Sequence, residues 1–248
     1  MSTPAAEAVS ETGKSDVRPR REVIHRHSWL VRLTHWINAL TIFIMVGSGL
    51  NIFNAHPRLY WGQAGADFDK PFLALHAWPD WLTIPGYMDL ADARHWHFFF
   101  AWVLVINGAL YLAWSLARRH LQRDLWPSAA DLRAIPRSIS DHIRLKHPAG
   151  EAAKRYNVLQ RLAYLGLLIL LIGMVVTGLS MSPGIDAFAP WLVTVLGGRQ
   201  SARTLHFLFA SAIVLFIAVH LIEVVLAGPL NEVRSMITGR YTVPGEHD

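Results

Sequence analysis

Residues 204–222 read TLHFLFASAIVLFIAVHLI, nineteen positions without an Asp, Glu, Lys or Arg. A helix needs about 20 apolar residues to cross the hydrocarbon core of a bilayer, so this stretch predicts a membrane span. Three further charge-free stretches cover residues 33–57, 95–117 and 162–185. The sequence therefore predicts an all-α, integral membrane four-helix bundle, with helices at about residues 33–53, 96–117, 158–181 and 204–227.

The composition agrees with a membrane protein and excludes several other classes. Of the 248 residues, 52% are hydrophobic and only 17% are charged, whereas soluble domains carry about 25% charged residues. The chain has no cysteine. This excludes a disulfide scaffold, iron–sulfur ligation by this chain, and covalent haem attachment through a C-x-x-C-H motif.

The distribution of Lys and Arg predicts the orientation. Eighteen of the 23 Lys and Arg residues lie in the N-terminal segment, in the connection 118–161 and in the C-terminal segment. Because cytoplasmic segments carry the excess of positive charge, both termini and this connection are predicted to lie on the cytoplasmic side of a bacterial inner membrane. The formal charge of +5 follows from this asymmetry. The predicted partner of the basic face is therefore membrane lipid, and no nucleic acid.

The polar segments complete the predicted organisation. Residues 1–22 contain no apolar core of a secretory signal. The predicted units are a mobile cytoplasmic tail, the four-helix domain and a C-terminal tail, at residues 1–27, 28–240 and 241–248. In the connection, Trp126-Pro127-Ser128 followed by Asp131 predicts the start of an amphipathic helix on the membrane. We find no internal repeat in the sequence.

The outer connection, residues 54–94, is rich in Trp, Tyr, Pro and Asp. Its aromatic residues are typical of the belt at a membrane–water interface. A loop of this length is also long enough to be functional, here as a docking surface for an extracytoplasmic redox enzyme subunit. Both interpretations stay open.

Four histidines form two pairs at opposite ends of the predicted bundle. His206 and His220 are fourteen residues apart, so they share one face of the fourth helix and lie about 21 Å apart along it. The first helix enters from the cytoplasm, which places His35 near the inner surface with His220. The second enters from outside, which places His97 near the outer surface with His206.

Each pair matches the axial ligands of a b-type haem. A six-coordinate haem iron takes two imidazoles, and the apolar faces of haem suit a bundle interior. The pairs therefore predict two haem b groups whose iron ligands are His35, His97, His206 and His220. A single histidine near a membrane surface is ordinarily solvated, and the pairing is what favours ligation. Zinc also binds imidazole, but zinc sites normally add carboxylate, Cys or further His ligands.

Arginines stand one helical turn before three of these histidines, at Arg32, Arg94 and Arg203. Such a guanidinium can bind a haem propionate, or it can extend from the end of a span to the membrane surface. The second role is favoured for Arg32. Both roles remain open for Arg94 and Arg203.

Several segments resemble the membrane cytochrome b subunits of nickel–iron hydrogenases, formate dehydrogenases and thiosulfate reductases. They are Arg32-Leu-Thr-His-Trp-Ile-Asn-Ala with Gly47-Ser-Gly-Leu, Arg94-His-Trp-His-Phe, Tyr156-Asn157-x-x-Gln160-Arg161, the pair His206 and His220, and Met236-Ile237-x-Gly239. The similarity covers residues 28–240. The order and spacing of these segments are more specific than any one of them.

This resemblance implies electron transfer between quinone near the inner haem and a redox partner at the outer face, often a molybdopterin enzyme. It implies a quinone region that contains Asn38, Tyr156, Asn157, Gln160 and Arg161. The alternative role of these residues is interfacial anchoring and the start of a helix. Two features depart from this resemblance: the connection 118–161 is longer and more basic than it requires, and the connection 54–94 is longer than in the formate dehydrogenase subunit. The identity of the partner therefore stays open, and the chain looks most like the thiosulfate reductase-like branch.

The leading hypothesis is therefore a di-haem b-type cytochrome subunit that exchanges electrons with the quinone pool. One alternative is a free-standing membrane quinone oxidoreductase that uses a small redox substrate, without a second polypeptide. The other is a haem-free metal transporter or anchor, which predicts no visible absorption. The scarcity of Asp and Glu in the spans disfavours a cation path.

Overall fold

A computed structural model describes residues 22–66, 68–119, 126–144 and 157–243. In this part of the chain the helices are α1 (Trp29–Asn54), α2 (Leu90–Ala117), α3 (Ala129–Arg133), α4 (Ile135–Ile143), α5 (Val158–Ser180), α6 (Pro183–Phe188), α7 (Pro190–Val195), α8 (Arg199–Leu226) and α9 (Pro229–Thr238). The short strands are β1 (Val23–His25), β2 (Arg58–Leu59), β3 (Leu73–Ala74) and β4 (Arg240–Thr242). The long helices α1, α2, α5 and α8 are apolar enough to cross a membrane, which confirms the predicted all-α bundle.

Three of the four spanning helices begin before their predicted starts. α1 follows Ser28 and α2 follows Asp89, and both side chains accept hydrogen bonds from N–H groups of the first turn. α8 follows Gly198. A charge-free stretch ends at the nearest arginine, whereas a helix extends to a residue that can cap it. Arg94 and Arg203 therefore lie inside α2 and α8.

The spans pack as two helical hairpins, α1 with α2 and α5 with α8. In the first hairpin the buried Asn107 amide on α2 donates to the Thr34 carbonyl (2.9 Å) and to Asn38 Oδ1 (2.8 Å) on α1. A buried polar group needs such partners, so these bonds favour a single register of the two helices.

One end of the bundle, the terminal end, carries residues 22–28 and 229–243. There β1 pairs antiparallel with β4, and Ile24 lies opposite Tyr241. The Arg26 guanidinium lies 4.3 Å from the centre of the Tyr241 ring and 3.6 Å from the Glu232 carboxylate. Residues 23–25 of the predicted N-terminal tail thus pair with residues 240–242, at the predicted start of the C-terminal tail.

The opposite end, the loop end, carries residues 55–89 and 181–198. There β2 pairs antiparallel with β3. The buried Asn51 amide on α1 donates to the carbonyls of Pro85 (3.1 Å) and Tyr87 (2.7 Å). The Thr204 hydroxyl on α8 donates to the Tyr60 carbonyl (2.6 Å). Buried hydrogen bonds thus hold the connection 55–89 against the ends of α1 and α8.

We expect Asn51→Ala to loosen the connection 55–89, because loss of this amide removes its hydrogen bonds to the carbonyls of Pro85 and Tyr87; the Pro85 carbonyl keeps the Thr83 hydroxyl as a donor. The expected cost is about 1–3 kcal/mol. The measurement is the rate of limited proteolysis within residues 55–89. Asn54→Ala is the control, because Asn54 bonds to the Trp78 backbone at an exposed position. Equal proteolysis rates in the two variants would contradict this role of Asn51.

The predicted helix start at Ser128 is present as the N-terminus of α3. The Ser128 hydroxyl accepts from the Asp131 N–H (3.2 Å), and the Asp131 carboxylate accepts from the Ser128 N–H (2.9 Å). The backbone and hydroxyl of Ser128, and then the Arg161 guanidinium, hold the pKa of Asp131 below its usual range. Arg161 lies 2.9 Å from Asp131, which ties α3 to the start of α5.

Candidate functional site

The fold brings the four predicted histidines together in the two predicted pairs. We call His35 with His220 the terminal pair and His97 with His206 the loop pair. The ring centres are 6.4 Å apart in the terminal pair and 6.3 Å apart in the loop pair. The two rings are inclined by 65° and 63°, respectively. Each pair joins helices of different hairpins.

The spacing of each pair fits a metal ion held between two imidazoles. An imidazole nitrogen binds a first-row metal at about 2 Å, so two rings on opposite sides of one ion have centres roughly 6 Å apart. Among the described residues, no group of three or more His, Cys, Asp or Glu side chains is placed to hold a metal ion. A pair of imidazoles without a third such ligand fits a haem iron better than zinc.

Hydroxyl groups orient both imidazoles of the loop pair. His97 Nδ1 lies 3.1 Å from Ser48 Oγ, and His206 Nδ1 lies 2.9 Å from Thr177 Oγ1. Each hydroxyl donates its single proton to a carbonyl one turn earlier in its own helix, at 2.8 Å for Ser48 and 2.7 Å for Thr177. It therefore accepts from Nδ1–H, which leaves the Nε2 lone pair of each ring for a metal ion.

Glycines leave room for the same two rings. A Cβ atom at Gly49 would lie 3.5 Å from the His97 ring, and one at Gly178 would lie 3.3 Å from the His206 ring. Each glycine directly follows the hydroxyl residue that holds that ring. A Cβ atom alone would make ordinary contact at Gly49 and a tight one at Gly178, and a branched side chain at either position would press on the imidazole.

The terminal pair has a different environment. His35 Nδ1 is buried and has no hydrogen-bond partner within the described ranges. The Phe216 ring lies parallel to the His220 ring, with centres 6.1 Å apart, and the Trp36 ring meets His35 edge-on. Hydroxyls hold the loop pair, whereas aromatic rings surround the terminal pair. The hydrogen-bonding environments of the two pairs therefore differ.

The three arginines have three different environments. The Arg203 guanidinium donates to the carbonyls of His56 and Arg58 at the loop end, so these contacts give it a structural role. Arg94 is exposed. Arg32 donates to the Ile237 carbonyl, and its Nε is buried without a hydrogen-bond partner in the described part of the chain. Arg32 was expected to extend to the membrane surface. Of these three arginines, it is the one whose buried Nε–H has no hydrogen-bond partner among the described residues.

The residues of the implied quinone region have structural contacts of their own. Asn157 and Gln160 cap the start of α5, each accepting a hydrogen bond from the backbone of the other. Asn38 accepts from Asn107, and Arg161 pairs with Asp131. Tyr156 lies outside the described residues. The contacts of Asn157 and Gln160 agree with the alternative of a helix start.

Ser48 and Thr177 are the residues of the site that the sequence interpretation missed. Hydroxyl residues in apolar helices commonly bond to their own backbone, so composition gives no reason to single them out. The signal in the sequence is the shared pattern Ser48-Gly49-Leu50 and Thr177-Gly178-Leu179.

Comparisons with known proteins give matches along most of the chain. The model of the family described as prokaryotic cytochrome b561 matches residues 26–239. A putative protein-methionine-sulfoxide reductase subunit of Azospira oryzae is 32% identical over 206 residues, which cover 83% of this chain and 93% of that protein. A probable Ni/Fe-hydrogenase B-type cytochrome subunit of Cupriavidus necator is 26% identical over 226 residues, which cover 86% of this chain and 84% of that protein.

Proposed function

The chain belongs to the prokaryotic cytochrome b561 family, and we propose that it binds two haems and carries electrons between quinone and an extracytoplasmic redox enzyme. As a family member it is a multi-pass electron-transfer subunit of the bacterial inner membrane that binds b-type haem. The two relatives above are likewise named as subunits of a reductase and of a hydrogenase.

One observation carries the proposal of two haems: two imidazole pairs of nearly equal spacing lie at opposite ends of α8. When bound, each haem supplies a one-electron carrier, because its iron alternates between the ferrous and ferric states. The imidazole nitrogens of each pair would hold the haem iron. Ser48 and Thr177 fix the tautomer of the loop pair, and Arg32 has a donor available for a propionate.

The proposed orientation places the terminal end at the cytoplasmic surface and the loop end outside. It rests on the excess of Lys and Arg in the terminal segments and in the connection 118–161. The proposed partner is an extracytoplasmic oxidoreductase of the kind named for the relatives. The loop end presents exposed aromatic side chains to it, among them Trp61, Phe72 and Trp81, on a connection fixed by buried hydrogen bonds.

The test is a dithionite-reduced-minus-oxidised visible spectrum of the purified protein, with haem quantified per chain. Two non-covalent b haems per chain support the proposal. One haem per chain would mean that only one of the two histidine pairs binds haem. Absence of haem, in protein expressed with adequate haem supply, would favour the transporter or anchor. Co-purification of a second polypeptide distinguishes the subunit from the free-standing oxidoreductase.

We expect Thr177→Val to raise the midpoint potential of the loop-pair haem. Loss of the hydroxyl removes the acceptor of His206 Nδ1–H, which makes the imidazole less basic and favours the ferrous state. The haem affinity of this pair is expected to fall by about 10- to 100-fold. Potentiometric titration followed by visible spectroscopy measures both haems. Thr177→Ser keeps the hydroxyl and should titrate like the wild type; an equal shift in both variants would contradict the assignment.

A further inference from the structure

The two helices that carry the loop pair begin in different ways. The residue before α8 is Gly198, which has no side chain that could cap the helix. The first N–H groups of a helix have no partner within the helix, so those of α8 need acceptors from elsewhere. α2 is capped locally, because the Asp89 carboxylate accepts from the N–H groups of Ala91 (2.8 Å) and Asp92 (2.9 Å). The start of α8 therefore depends on another part of the chain.

Residues 56–63 at the loop end, which we call the strap, supply the missing acceptors. Gln63 Oε1 accepts from the Arg199 N–H (3.0 Å), and the Gly62 carbonyl accepts from the next two N–H groups of α8 (3.0 and 3.1 Å). In return, the Ser201 hydroxyl accepts from the Gly62 N–H (2.7 Å). The first three N–H groups of α8 are thus bonded to a segment that lies 136 to 139 positions earlier in the chain.

The strap and the start of α8 meet at two glycines. A Cβ atom at Gly198 would lie 2.4 Å from the carbonyl carbon of Gly62, which is closer than Cβ atoms approach a backbone. The φ angles are +110° at Gly198 and +97° at Gly62, a conformation that residues with a Cβ atom rarely adopt. The two backbones are therefore in direct contact, and the hydrogen bonds of the cap fix their separation.

The strap holds α8 beyond its first N–H groups, almost as far as His206. The Arg203 guanidinium donates to two carbonyls of the strap. The hydroxyl of the fully buried Thr204 donates to the Tyr60 carbonyl (2.6 Å). Thr204 stands two residues before His206, which is about 3 Å along the helix axis. Contacts with the strap thus cover the whole segment of α8 that leads to this histidine.

The position of α8 sets the contact between His206 and Thr177. His206 Nδ1 lies 2.9 Å from Thr177 Oγ1 on α5, and N–H···O bonds span only about 2.7–3.2 Å. A shift of α8 by about half an ångström would therefore take this bond out of its range. On the other side of the ring, a Cβ atom at Gly178 would already be 3.3 Å away. The orientation of the His206 ring thus depends on where the strap seats the helix.

We propose that Gly62 and Gln63 are positioning residues for the loop pair: by capping α8, they fix the height and the rotation of His206. This role rests on the proposed function, because it concerns a histidine that we propose as a haem ligand. Trp61 lies in the same strap, is 49% exposed and packs against Phe72, with ring centres 5.4 Å apart. The strap therefore connects the aromatic side chains that we propose to face the partner with the helix that carries His206.

The first test is Gln63→Ala, measured by hydrogen exchange and by EPR of the oxidised, haem-loaded protein. Loss of the acceptor for the Arg199 N–H should speed amide exchange in the first turn of α8 about fivefold, as expected for one lost cap. The gmax value and the midpoint potential of the loop-pair haem should shift, because both depend on the orientation and hydrogen bonding of its imidazoles. The terminal-pair haem should keep its values. His97→Ala, which should lack the loop-pair haem, identifies the signal of that haem.

Two variants serve as controls. Gln63→Glu keeps an acceptor for the Arg199 N–H and should restore the wild-type exchange rate and gmax. Asn54→Ala removes a contact with the Trp78 backbone, away from the strap, and should leave the loop-pair haem unchanged.

Each outcome decides a separate point. Unchanged exchange in Gln63→Ala would overturn the cap. Faster exchange with unchanged gmax and potential would show that the strap only stabilises the helix, and would overturn the positioning role while two haems per chain still support the proposed function. A shift of both haems would also overturn the role, because the proposal confines the effect to the loop pair. A wild type without haem would overturn the proposed function, and the positioning role with it.

Gly198→Ala is a stronger variant at the same contact. Its Cβ atom would meet the Gly62 backbone at 2.4 Å, so the strap and α8 must separate. We expect loss of the loop-pair haem with retention of the terminal-pair haem, measured as haem content per chain. Retention of both haems with the wild-type gmax would overturn the positioning role.

Discussion

Replacement of any one of the four histidines that we propose as haem ligands should leave one haem per chain instead of the proposed two. We expect His97→Ala and His206→Ala to lose the loop-pair haem, and His35→Ala and His220→Ala to lose the terminal-pair haem. A haem at the altered pair would keep only one of its two proposed histidine ligands, while the other pair lies about 21 Å away along α8. The measurement is the pyridine haemochrome content, together with the reduced visible spectrum of each variant.

His95→Ala is the matched control for this prediction, because His95 lies two residues from His97 on the same helix and its side chain is 84% exposed. It should keep both haems. Loss of a haem in His95→Ala, with retention of both haems in His97→Ala, would show that our assignment of His97 as the histidine of α2 in the loop pair is wrong.

The second large effect is expected from a side chain at Gly178. A Cβ atom there lies 3.3 Å from the His206 ring, so the branched side chain of Gly178→Val enters the volume of the imidazole. Overpacking of this kind costs about 1–3 kcal/mol where neighbours can yield. Here the neighbour is His206, a proposed haem ligand, and a bound iron would restrict how far its ring can yield. We therefore expect loss of the loop-pair haem and retention of the terminal-pair haem.

Gly166→Val on the same helix is the control, because a Cβ atom at Gly166 meets nothing within 4 Å. Haem content per chain and the reduced spectrum of both variants provide the comparison. If Gly178→Val kept both haems with unchanged spectra, the packing of α5 against His206 would differ from the one described. The equivalent variant in the other hairpin, Gly49→Val, should affect the same haem through His97.

At the loop end both hairpins contribute equally, with one histidine and one supporting hydroxyl each. At the terminal end the two histidines lie on α1 and α8, and His35 Nδ1 has no hydrogen-bond partner within the described ranges.

Several features were predictable from the sequence because they depend on local periodicity or on charge. Spans follow from the length of charge-free stretches, since a bilayer imposes about 20 apolar residues per helix. The pairing of His35 with His220, and of His97 with His206, follows from helix geometry and the alternating direction of successive spans. The start of α3 at Ser128 follows from a local capping pattern.

Other features depend on contacts between residues that are far apart in the chain. Only the tertiary structure pairs β1 with β4, so the N-terminal segment that was expected to be a tail has a partner more than 200 positions away. Only the structure shows that the Arg203 guanidinium donates to backbone carbonyls at the loop end. Only the structure shows that the buried Nε–H of Arg32 has no hydrogen-bond partner among the described residues. Each arginine lies one turn before a histidine, so their sequence context cannot separate these roles.

The sequence by itself determined the bundle, the number of spans and the histidines that face one another, because a membrane helix has a fixed length and a fixed angular period. The tertiary structure decided which hydroxyls hold those rings and which glycines leave room for them. These depend on distances between helices, and a single helical pattern contains no information about the neighbour against which it packs.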